Sequence, residues 1–309
     1  MGEVVFLNGD LLPRGQALVS PFDYGFLYGY GLFETLRAYG GRFFRLQQHM
    51  ARLQEGAGDI GIALPWSPAE LEHALYRTLR ANNLSEARVR LTVSIGEGDI
   101  SPDPASCRSP TLFIAAKAFT PFRPETYRRG YRLSISSYRQ NSHSPLSRLK
   151  TANYLQHLLA RQEAKARGAH DALLLNERGL VAEGAMSNLF LVSQGVLLTP
   201  SLESGALNGI TREAILEIAP TLGIEANVKE ITLEEVFQAQ EVFLSSSLLE
   251  IMPVVAVEGK SLSRSPFDEL RASPDAILSL SKEPVERRGA LTPRLMAAYR
   301  ELVARETSA

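Results

Sequence analysis

The chain has 309 residues, which is enough for two domains of ordinary size, each with its own hydrophobic core. Apolar residues make up 45% of the chain and charged residues 22%, the proportions of a folded globular protein rather than of a disordered or fibrous one. The formal net charge of −1 excludes a bulk attraction to nucleic acid or to an anionic membrane, so neither is expected as a partner.

Three features predict a cytoplasmic location. The single cysteine, Cys107, has no second cysteine with which to form an intramolecular disulfide. The opening residues, MGEVVFLNGDLLPRG, have neither the basic start nor the long apolar run of a targeting segment. No uncharged apolar stretch approaches the roughly 18 residues that indicate a transmembrane helix.

The first 120 residues predict a small α/β domain. VVFLNG (4–9) ends in Asn-Gly and ALVSPF (17–22) ends at a proline, which together predict an opening hairpin. Two amphipathic helices and then two strands are predicted after it, over 45–57, 68–82, 88–98 and 111–119.

A domain linker is predicted at 121–126, where Pro121 and Pro124 bracket a short polar stretch. The rest of the chain, 127–309, is predicted to form a larger domain rich in strands. Its predicted elements are a strand over 131–139, a helix over 153–168, short strands between 171 and 200, a helix from Ile210, a strand over 241–246 and a helix over 291–306. The helix over 153–168 is expected to turn Leu155, Leu158, Leu159 and Ala164 inward.

Several common ligand sites are not supported by the sequence. GKS at 259–261 lacks the upstream glycine of a phosphate-binding P-loop, since Val254 stands at that position. GFLYGYG at 25–31 is rich in glycine but does not open a dinucleotide-binding βαβ unit. The five histidines form no close metal-ligand pattern, so no metal site is predicted.

One lysine stands out among the six in the chain. Lys150 lies between a predicted strand and the start of an apolar-faced helix, where a side chain can point into a cleft. Burial there would lower the pKa of the amine and suit it to Schiff-base chemistry. A solvated lysine at a helix start is the alternative on this observation alone.

Two later segments carry groups that complement such a lysine. EGAMSNLF (183–190) places the carboxylate of Glu183 in a small-residue stretch between strands. LNGITRE (207–213) puts a glycine before a helix whose first N–H groups, those of Ile210 and Thr211, predict an anion site. A lysine, a carboxylate and an anion cradle match the aldehyde, the pyridine nitrogen and the phosphate of pyridoxal 5'-phosphate.

With these residues in place, the chain resembles the class IV aminotransferases. This is the fold-type-IV pyridoxal-phosphate family, which includes branched-chain and D-amino-acid aminotransferases and aminodeoxychorismate lyase. The resemblance covers about residues 4–260 and rests on seven motifs in the family's order: SPFDYGFLYGYGLFETLR (20–37), HMARL (49–53), ARVRLTVSIGEG (87–98), LKTANYL (149–155), VAEGAMSNLFLV (181–192), GALNGITRE (205–213) and EVFLSSSLLEIMPV (241–254). It implies an α/β (α+β) fold of two domains, the smaller N-terminal and the larger β-rich and C-terminal, with the cofactor in the cleft between them.

The resemblance implies a role for individual residues. Lys150 is implied as the Schiff-base lysine and proton shuttle, and Glu183 as the partner of the pyridine nitrogen. The implied phosphate ligands are Arg52, the backbone N–H groups of Ile210 and Thr211, and the hydroxyl of Ser247.

Further residues are implied around the substrate. Tyr154 matches a tyrosine that hydrogen-bonds the cofactor's phenolate oxygen, although it follows the lysine by four positions rather than five. Tyr28 and Leu248 are implied to line the substrate pocket, Tyr28 from across a dimer interface. Arg90 is implied as a ligand of the substrate carboxylate, because a guanidinium pairs bidentately with a carboxylate.

The implied function is a transaminase that works as a homodimer on an amino acid or amine and a 2-oxo acid. The alternative is an aminodeoxychorismate lyase, which would release pyruvate and 4-aminobenzoate with the same lysine. The lyases commonly carry Asn where Ser246 stands, so this chain departs from the lyase pattern there. A scaffold without activity would be expected to have lost Lys150 or Glu183, and both are present.

Residues 261–289 predict a surface insertion, because they are rich in Ser, Pro and charge. An ordered helical hairpin over 268–281 and a lid over the substrate are the alternatives. A long surface loop adds only about 0.6 kcal/mol of closure entropy per doubling of its length. We therefore expect the insertion to lie away from Lys150, and its replacement by a short turn to leave the activity within a few-fold.

Overall fold

A computed structural model of the chain describes residues 2–262 and 290–308. Contacts between residues divide it into two compact units. The first comprises Met1–Pro121, Leu149–Tyr154 and Glu306–Ala309, and the second comprises Phe122–Arg148 and Leu155–Arg305. This division differs from a single boundary at 121–126, because the short segment that carries Lys150 returns to the first unit.

The first unit is a six-stranded antiparallel sheet with two long helices packed on one face. Its strands are β1 (Val4–Leu7), β2 (Asp10–Pro13), β3 (Gly31–Tyr39), β4 (Arg42–Phe43), β5 (Ala87–Ser94) and β6 (Thr111–Ala118). Its helices are α1 (Tyr24–Tyr28), α2 (Leu46–Asp59) and α3 (Pro68–Ala81). Across the sheet the strands run in the order β2-β1-β6-β5-β3-β4.

Alternation of side chains along β5 shows why this sheet has one covered face. Val89, Leu91 and Val93 are fully buried under the helices, whereas Arg88 and Arg90, which alternate with them, are exposed. The apolar residues at helical spacing in α2 and α3 form the other side of the same core.

The predicted opening hairpin is present, but its second strand lies earlier in the chain than predicted. Asn8 and Gly9 form the two-residue turn, both with positive φ, and Leu7 pairs directly with Asp10. The returning strand therefore follows at once as β2, and residues 17–22 form no strand.

The second unit is built on a nine-stranded mixed sheet. Its strands are β7 (Tyr131–Gln140), β8 (Asp171–Asn176), β9 (Val181–Gly184), β10 (Asn188–Ser193), β11 (Val196–Pro200), β12 (Ala226–Lys229), β13 (Glu241–Ser246), β14 (Glu250–Val257) and β15 (Lys260–Ser261). Its helices are α4 (Pro124–Arg129), α5 (Leu155–Ala166), α6 (Ile210–Thr221), α7 (Leu233–Gln238) and α8 (Leu291–Thr307). The strand order is β12-β11-β10-β13-β14-β7-β8-β9, with β15 beside β14.

Central strands of this sheet are covered on both faces. Every residue of β8 is buried, as are the residues of β10 from Asn188 to Val192. Such strands are expected to be continuous apolar runs rather than alternating ones. The predicted helix starting at Ile210 begins at that residue as α6.

Two expectations for this unit need correction. Leu155 and Leu158 of α5 do not point inward, since they are 67% and 52% exposed, whereas Ala160 and Ala164 are fully buried. The helix therefore packs on its own sheet through small residues and leaves a leucine pair uncovered. The predicted linker also contains the start of α4, because a proline is tolerated in the first turn of a helix.

Within residues 2–262 and 290–308, no helix combines the length and the apolar character needed to cross a membrane. The predicted insertion at 261–289 lies outside the described residues from position 263 onward.

Candidate active site

Lys150 is held by main-chain contacts with β3. The Phe33 N–H donates a hydrogen bond to the Lys150 carbonyl at 2.9 Å, and the next residue, Thr151, forms an antiparallel bridge with Leu32. The short strand β4 pairs only with the far end of β3, so the segment 149–154 covers backbone groups that an open strand edge would expose. The backbone beneath the lysine side chain is thus part of a sheet.

The side chains around Lys150 are aromatic and cationic. Its Nζ lies 4.7 Å from the ring centroid of Phe33 and 5.9 Å from that of Tyr154. The two rings meet edge to face with their centroids 5.2 Å apart. The guanidinium carbon of Arg90 lies 3.7 Å from the Phe33 centroid, and Arg90 Nε donates to Thr92 Oγ1 at 3.1 Å. The structure therefore brings three predicted site residues together around one phenylalanine.

Arg52 is bound by a buried carboxylate on β3. Its Nε and Nη2 donate to the two carboxylate oxygens of Glu34 at 2.8 and 2.6 Å, and His49 Nδ1 donates to the same carboxylate at 2.7 Å. Burial raises the pKa of Glu34, but Arg52 and His49 outweigh burial and hold that pKa at about 2. Burial lowers the pKa of His49, against the raising effect of its contact with Glu34, and the positive charges of Arg52 and Lys150 lower it further.

Tyr28 lies at the end of α1 on the surface of the first unit. Its side chain is 43% exposed, packs edge to face on Tyr24, and donates from its hydroxyl to the Ile100 carbonyl at 3.3 Å. Asn153 Nδ2 donates to the Tyr28 carbonyl at 3.4 Å, which connects α1 to the Lys150 segment.

In the second unit, Glu183 and the start of α6 are joined by Asn188. Glu183 is 5% exposed on β9, and its Oε2 accepts from the Leu207 N–H at 3.1 Å and from Asn188 Nδ2 at 3.5 Å. Asn188 Nδ2 also donates to the Leu207 carbonyl at 2.7 Å. A carboxylate and a helix start 27 positions apart in sequence are thereby fixed to one loop.

The start of α6 has no side chain of its own to cap it. Gly209 is the N-cap residue, and a Cβ there would meet Asn188 Oδ1 at 1.9 Å, so only glycine fits. Helices α3 and α7, by contrast, are capped by Ser67 and Thr232 in complete capping boxes. The first N–H groups of α6, including that of the buried Ile210, could therefore donate hydrogen bonds to an anion that is not part of the helix.

Ser247 and Leu248 lie on the turn between β13 and β14, and both are half-buried. Ser246 stabilises this turn, because its hydroxyl accepts the Leu249 N–H at 3.2 Å.

Sequence reasoning did not identify Asp171, a buried carboxyl beside the Glu183 strand. Asp171 is 3% exposed at the start of β8, and Ser187 Oγ donates to it at 3.5 Å. It therefore contacts the turn from Gly184 to Ser187, which connects Glu183 to Asn188. Burial raises the pKa of Asp171 to about 6, against the lowering effect of its hydrogen bonds.

The residues present fit a phosphorylated aldehyde cofactor with a basic ring nitrogen. The first unit offers a primary amine on a fixed backbone and an arginine, and the second offers a buried carboxylate beside an uncapped helix start. These are the functional groups that such a cofactor requires. Among the described residues, no three His, Cys, Asp or Glu side chains form a group that could hold a metal ion.

A family model described as amino-transferase class IV matches residues 31–257 of the chain. The branched-chain-amino-acid aminotransferase of Escherichia coli K12 is 33% identical over 264 residues, 83% of this chain and 85% of that protein. The aminodeoxychorismate lyase of Bacillus subtilis is 35% identical over 257 residues, 82% of this chain and 87% of that protein.

Among solved structures, a branched-chain amino acid aminotransferase from T.th., solved with pyridoxamine 5'-phosphate, superimposes with a TM-score of 0.86. It is 29% identical, and the match covers 99% of this chain and 95% of that one. The chain belongs to the class IV aminotransferase family, and the predicted mixed α/β, fold-type-IV architecture is confirmed.

The raised pKa of Asp171 predicts a pH-dependent contribution to stability. The carboxyl is harder to ionise in the folded protein than in the unfolded chain. Its contribution to the free energy of unfolding is therefore complete below about pH 4 and is lost as the pH rises through about 6. The loss amounts to about 3 kcal/mol in the free energy of unfolding. Asp171→Asn should remove it, so the variant should gain stability relative to wild type between pH 4 and 7.

Urea unfolding at a series of pH values measures this difference. Asp10→Asn, which changes an exposed aspartate in the β1–β2 hairpin, is the control and should follow the wild-type pH profile. Parallel profiles for wild type and Asp171→Asn would contradict the prediction.

Proposed function

We propose that the protein is a pyridoxal-phosphate-dependent aminotransferase, which transfers an amino group between an amino acid or amine and a 2-oxo acid. One observation carries this proposal. The chain holds a lysine, a buried carboxylate and an uncapped helix start on regular secondary structure, and these are the groups that bind and activate this cofactor. The family membership and the pyridoxamine-bound relative support it.

When bound, pyridoxal phosphate supplies an aldehyde for covalent attachment to an amine and a ring that withdraws electrons from the substrate α-carbon. Lys150 Nζ is the amine that we propose for the attachment. Once a substrate amine had displaced it, the freed Nζ would move a proton from the substrate α-carbon to the neighbouring cofactor carbon. Glu183 holds a proton at the ring nitrogen, because a carboxylate favours the charged form of a basic partner.

The phosphate is assigned to Arg52, the N–H groups of Ile210 and Thr211, and the Ser247 hydroxyl. The Tyr154 hydroxyl is assigned to the phenolate oxygen of the cofactor. Arg90 is assigned to the substrate carboxylate, because its guanidinium is exposed beside the ring that also contacts Lys150 Nζ. Tyr28 and Leu248 are assigned to the walls of the substrate pocket.

We also propose that the protein acts as a cytoplasmic homodimer. The surface of the first unit exposes an unusual number of large apolar side chains on and near α1: Leu18, Val19, Phe22, Phe26, Leu27, Tyr28 and Ile100. In the second unit, Leu155 and Leu158 of α5 are also uncovered. Exposed apolar groups of this size are typical of a surface covered by another chain.

Replacement of Lys150 tests the cofactor assignment. Lys150→Ala should lose both the yellow absorbance of the attached cofactor and the turnover, because alanine has no amine for attachment. Lys165→Ala, which changes an exposed lysine of α5, is the control and should keep both. Normal turnover by Lys150→Ala would reject the assignment.

A substrate panel distinguishes the two reactions of the family. The purified enzyme is incubated with L- and D-amino acids plus 2-oxoglutarate, and separately with aminodeoxychorismate. We expect amino transfer without formation of 4-aminobenzoate. The 35% identity to the Bacillus subtilis lyase keeps the lyase as the second candidate, and formation of 4-aminobenzoate from aminodeoxychorismate would favour it.

Glu183→Gln tests the role of the buried carboxylate. The amide keeps the size of the side chain but cannot stabilise a protonated ring nitrogen by charge, so turnover should fall by about a hundredfold or more. Cofactor absorbance should remain. Glu225→Gln, at an exposed position, should behave as wild type, and an unchanged rate constant for Glu183→Gln would contradict its role.

Sedimentation velocity tests the dimer. The wild-type enzyme should sediment as a dimer whose interface buries more than about 1,200 Å² in total. Phe26→Glu should shift it towards monomer, because Phe26 is 74% exposed in one chain and would be covered in two. Val228→Glu, outside the apolar set, is the control. An active wild-type monomer would exclude the proposal.

A further inference from the structure

Glu34 occupies a position that a hydrophobic side chain would fill more readily. It lies on β3 between Leu32, which is 2% exposed, and Leu36, which is fully buried. Glu34 itself is 1% exposed. Alternation along the strand places all three on the helix-covered face of the sheet. Burying a carboxylate is costly unless its partners are well placed, so its contacts indicate what it does.

The contacts of Glu34 fix the orientation of Arg52. Two parallel hydrogen bonds, from Nε to Oε1 at 2.8 Å and from Nη2 to Oε2 at 2.6 Å, hold one edge of the planar guanidinium. His49 Nδ1 donates to Oε2 at 2.7 Å and so fixes the carboxylate itself. His49 is 1% exposed, and burial lowers its pKa against the raising effect of Glu34.

The same strand also fixes the position of Lys150. Phe33, the neighbour of Glu34, donates its N–H to the Lys150 carbonyl at 2.9 Å. A single stretch of β3 therefore sets the backbone of the lysine and, through Glu34, the guanidinium of Arg52.

We propose that Glu34 is a positioning residue for the cofactor phosphate, which it serves by orienting Arg52 relative to Lys150. The proposal depends on the proposed function, in which Arg52 binds that phosphate. Glu34 touches neither the cofactor nor the substrate, and its effect passes through the guanidinium. A carboxylate with a purely structural role would stabilise the fold without favouring the phosphorylated cofactor over an unphosphorylated one.

Comparison of pyridoxal phosphate with pyridoxal separates these roles. Each is titrated into the apoenzyme and its binding is followed by absorbance, so the ratio of the two dissociation constants measures the phosphate's contribution. Glu34→Gln should weaken binding of pyridoxal phosphate by about tenfold or more, because the charge-assisted fork is lost. Its binding of pyridoxal should stay within about threefold of wild type, since pyridoxal has no phosphate.

A double variant tests whether Glu34 acts through Arg52. Arg52→Ala should reduce the preference for pyridoxal phosphate over pyridoxal. Adding Glu34→Gln to this variant should change its dissociation constant for pyridoxal phosphate by less than about twofold. Glu55→Gln, an exposed carboxylate on the same helix as Arg52, is the control and should match wild type. If Glu34→Gln does not fold, Glu34→Asp retains the charge, displaces the fork, and should lower the preference in the same direction.

The outcomes are distinct. Equal losses for pyridoxal phosphate and pyridoxal would show a structural role, and additive effects of Glu34→Gln and Arg52→Ala would show that Glu34 does not act through the arginine. Either result overturns the proposal, as does an unchanged preference. A wild-type protein that binds neither compound would instead reject the proposed function.

Discussion

The pairing of residues 150–152 with the open edge of β3 is the constraint on which the first unit's site depends. Phe33 donates to the Lys150 carbonyl, and the Gly31 carbonyl accepts the Ala152 N–H at 2.8 Å. These contacts satisfy main-chain groups that β4 does not reach. They also bring Lys150 into a unit that otherwise comprises Met1–Pro121 and Glu306–Ala309. Without this return, Lys150 would have no fixed relation to Arg52 or Arg90.

Two groups of charged side chains lie around this part of β3. On the helix-covered face, Glu34 neutralises Arg52 in a setting where an unpaired charge would be costly. Near Lys150, by contrast, the Arg90 guanidinium and Lys150 Nζ lie against the ring of Phe33, since an aromatic ring attracts a cation.

Much of the fold could be predicted from the sequence, because the elements concerned have strong local signals. The helices α2, α3, α6 and α8 lie where their apolar spacing predicts them, and the Asn-Gly turn fixes the first hairpin. The same reasoning was wrong for the leucines of α5, since apolar spacing predicts a stripe of leucines on the helix but not whether the chain covers it. Leu155 and Leu158 are 67% and 52% exposed.

Some residues of the candidate site could be proposed from the sequence and others could not. Lys150, Glu183 and the α6 start could be proposed because each lies in a short motif with its own chemistry. Glu34 and Asp171 could not, since each is a single acidic residue in an apolar strand, and its meaning comes from partners far along the chain. Arg52 is 18 positions from Glu34, and Ser187 is 16 positions from Asp171. Non-local partners of this kind leave no periodic signal in the sequence.

The start of α6 differs from the starts of α3 and α7, which have capping side chains. Ser67 and Thr232 each accept an N–H at the start of their helix, and in each case the glutamate three positions later completes the box. At α6 the capping position is Gly209, and Asn188 occupies the space where a side chain would go. That asparagine is bound to Glu183 and to the Leu207 carbonyl. The packing that excludes a capping side chain is thus the same packing that fixes the carboxylate, so a ligand that binds the helix start would meet Glu183 already held in place.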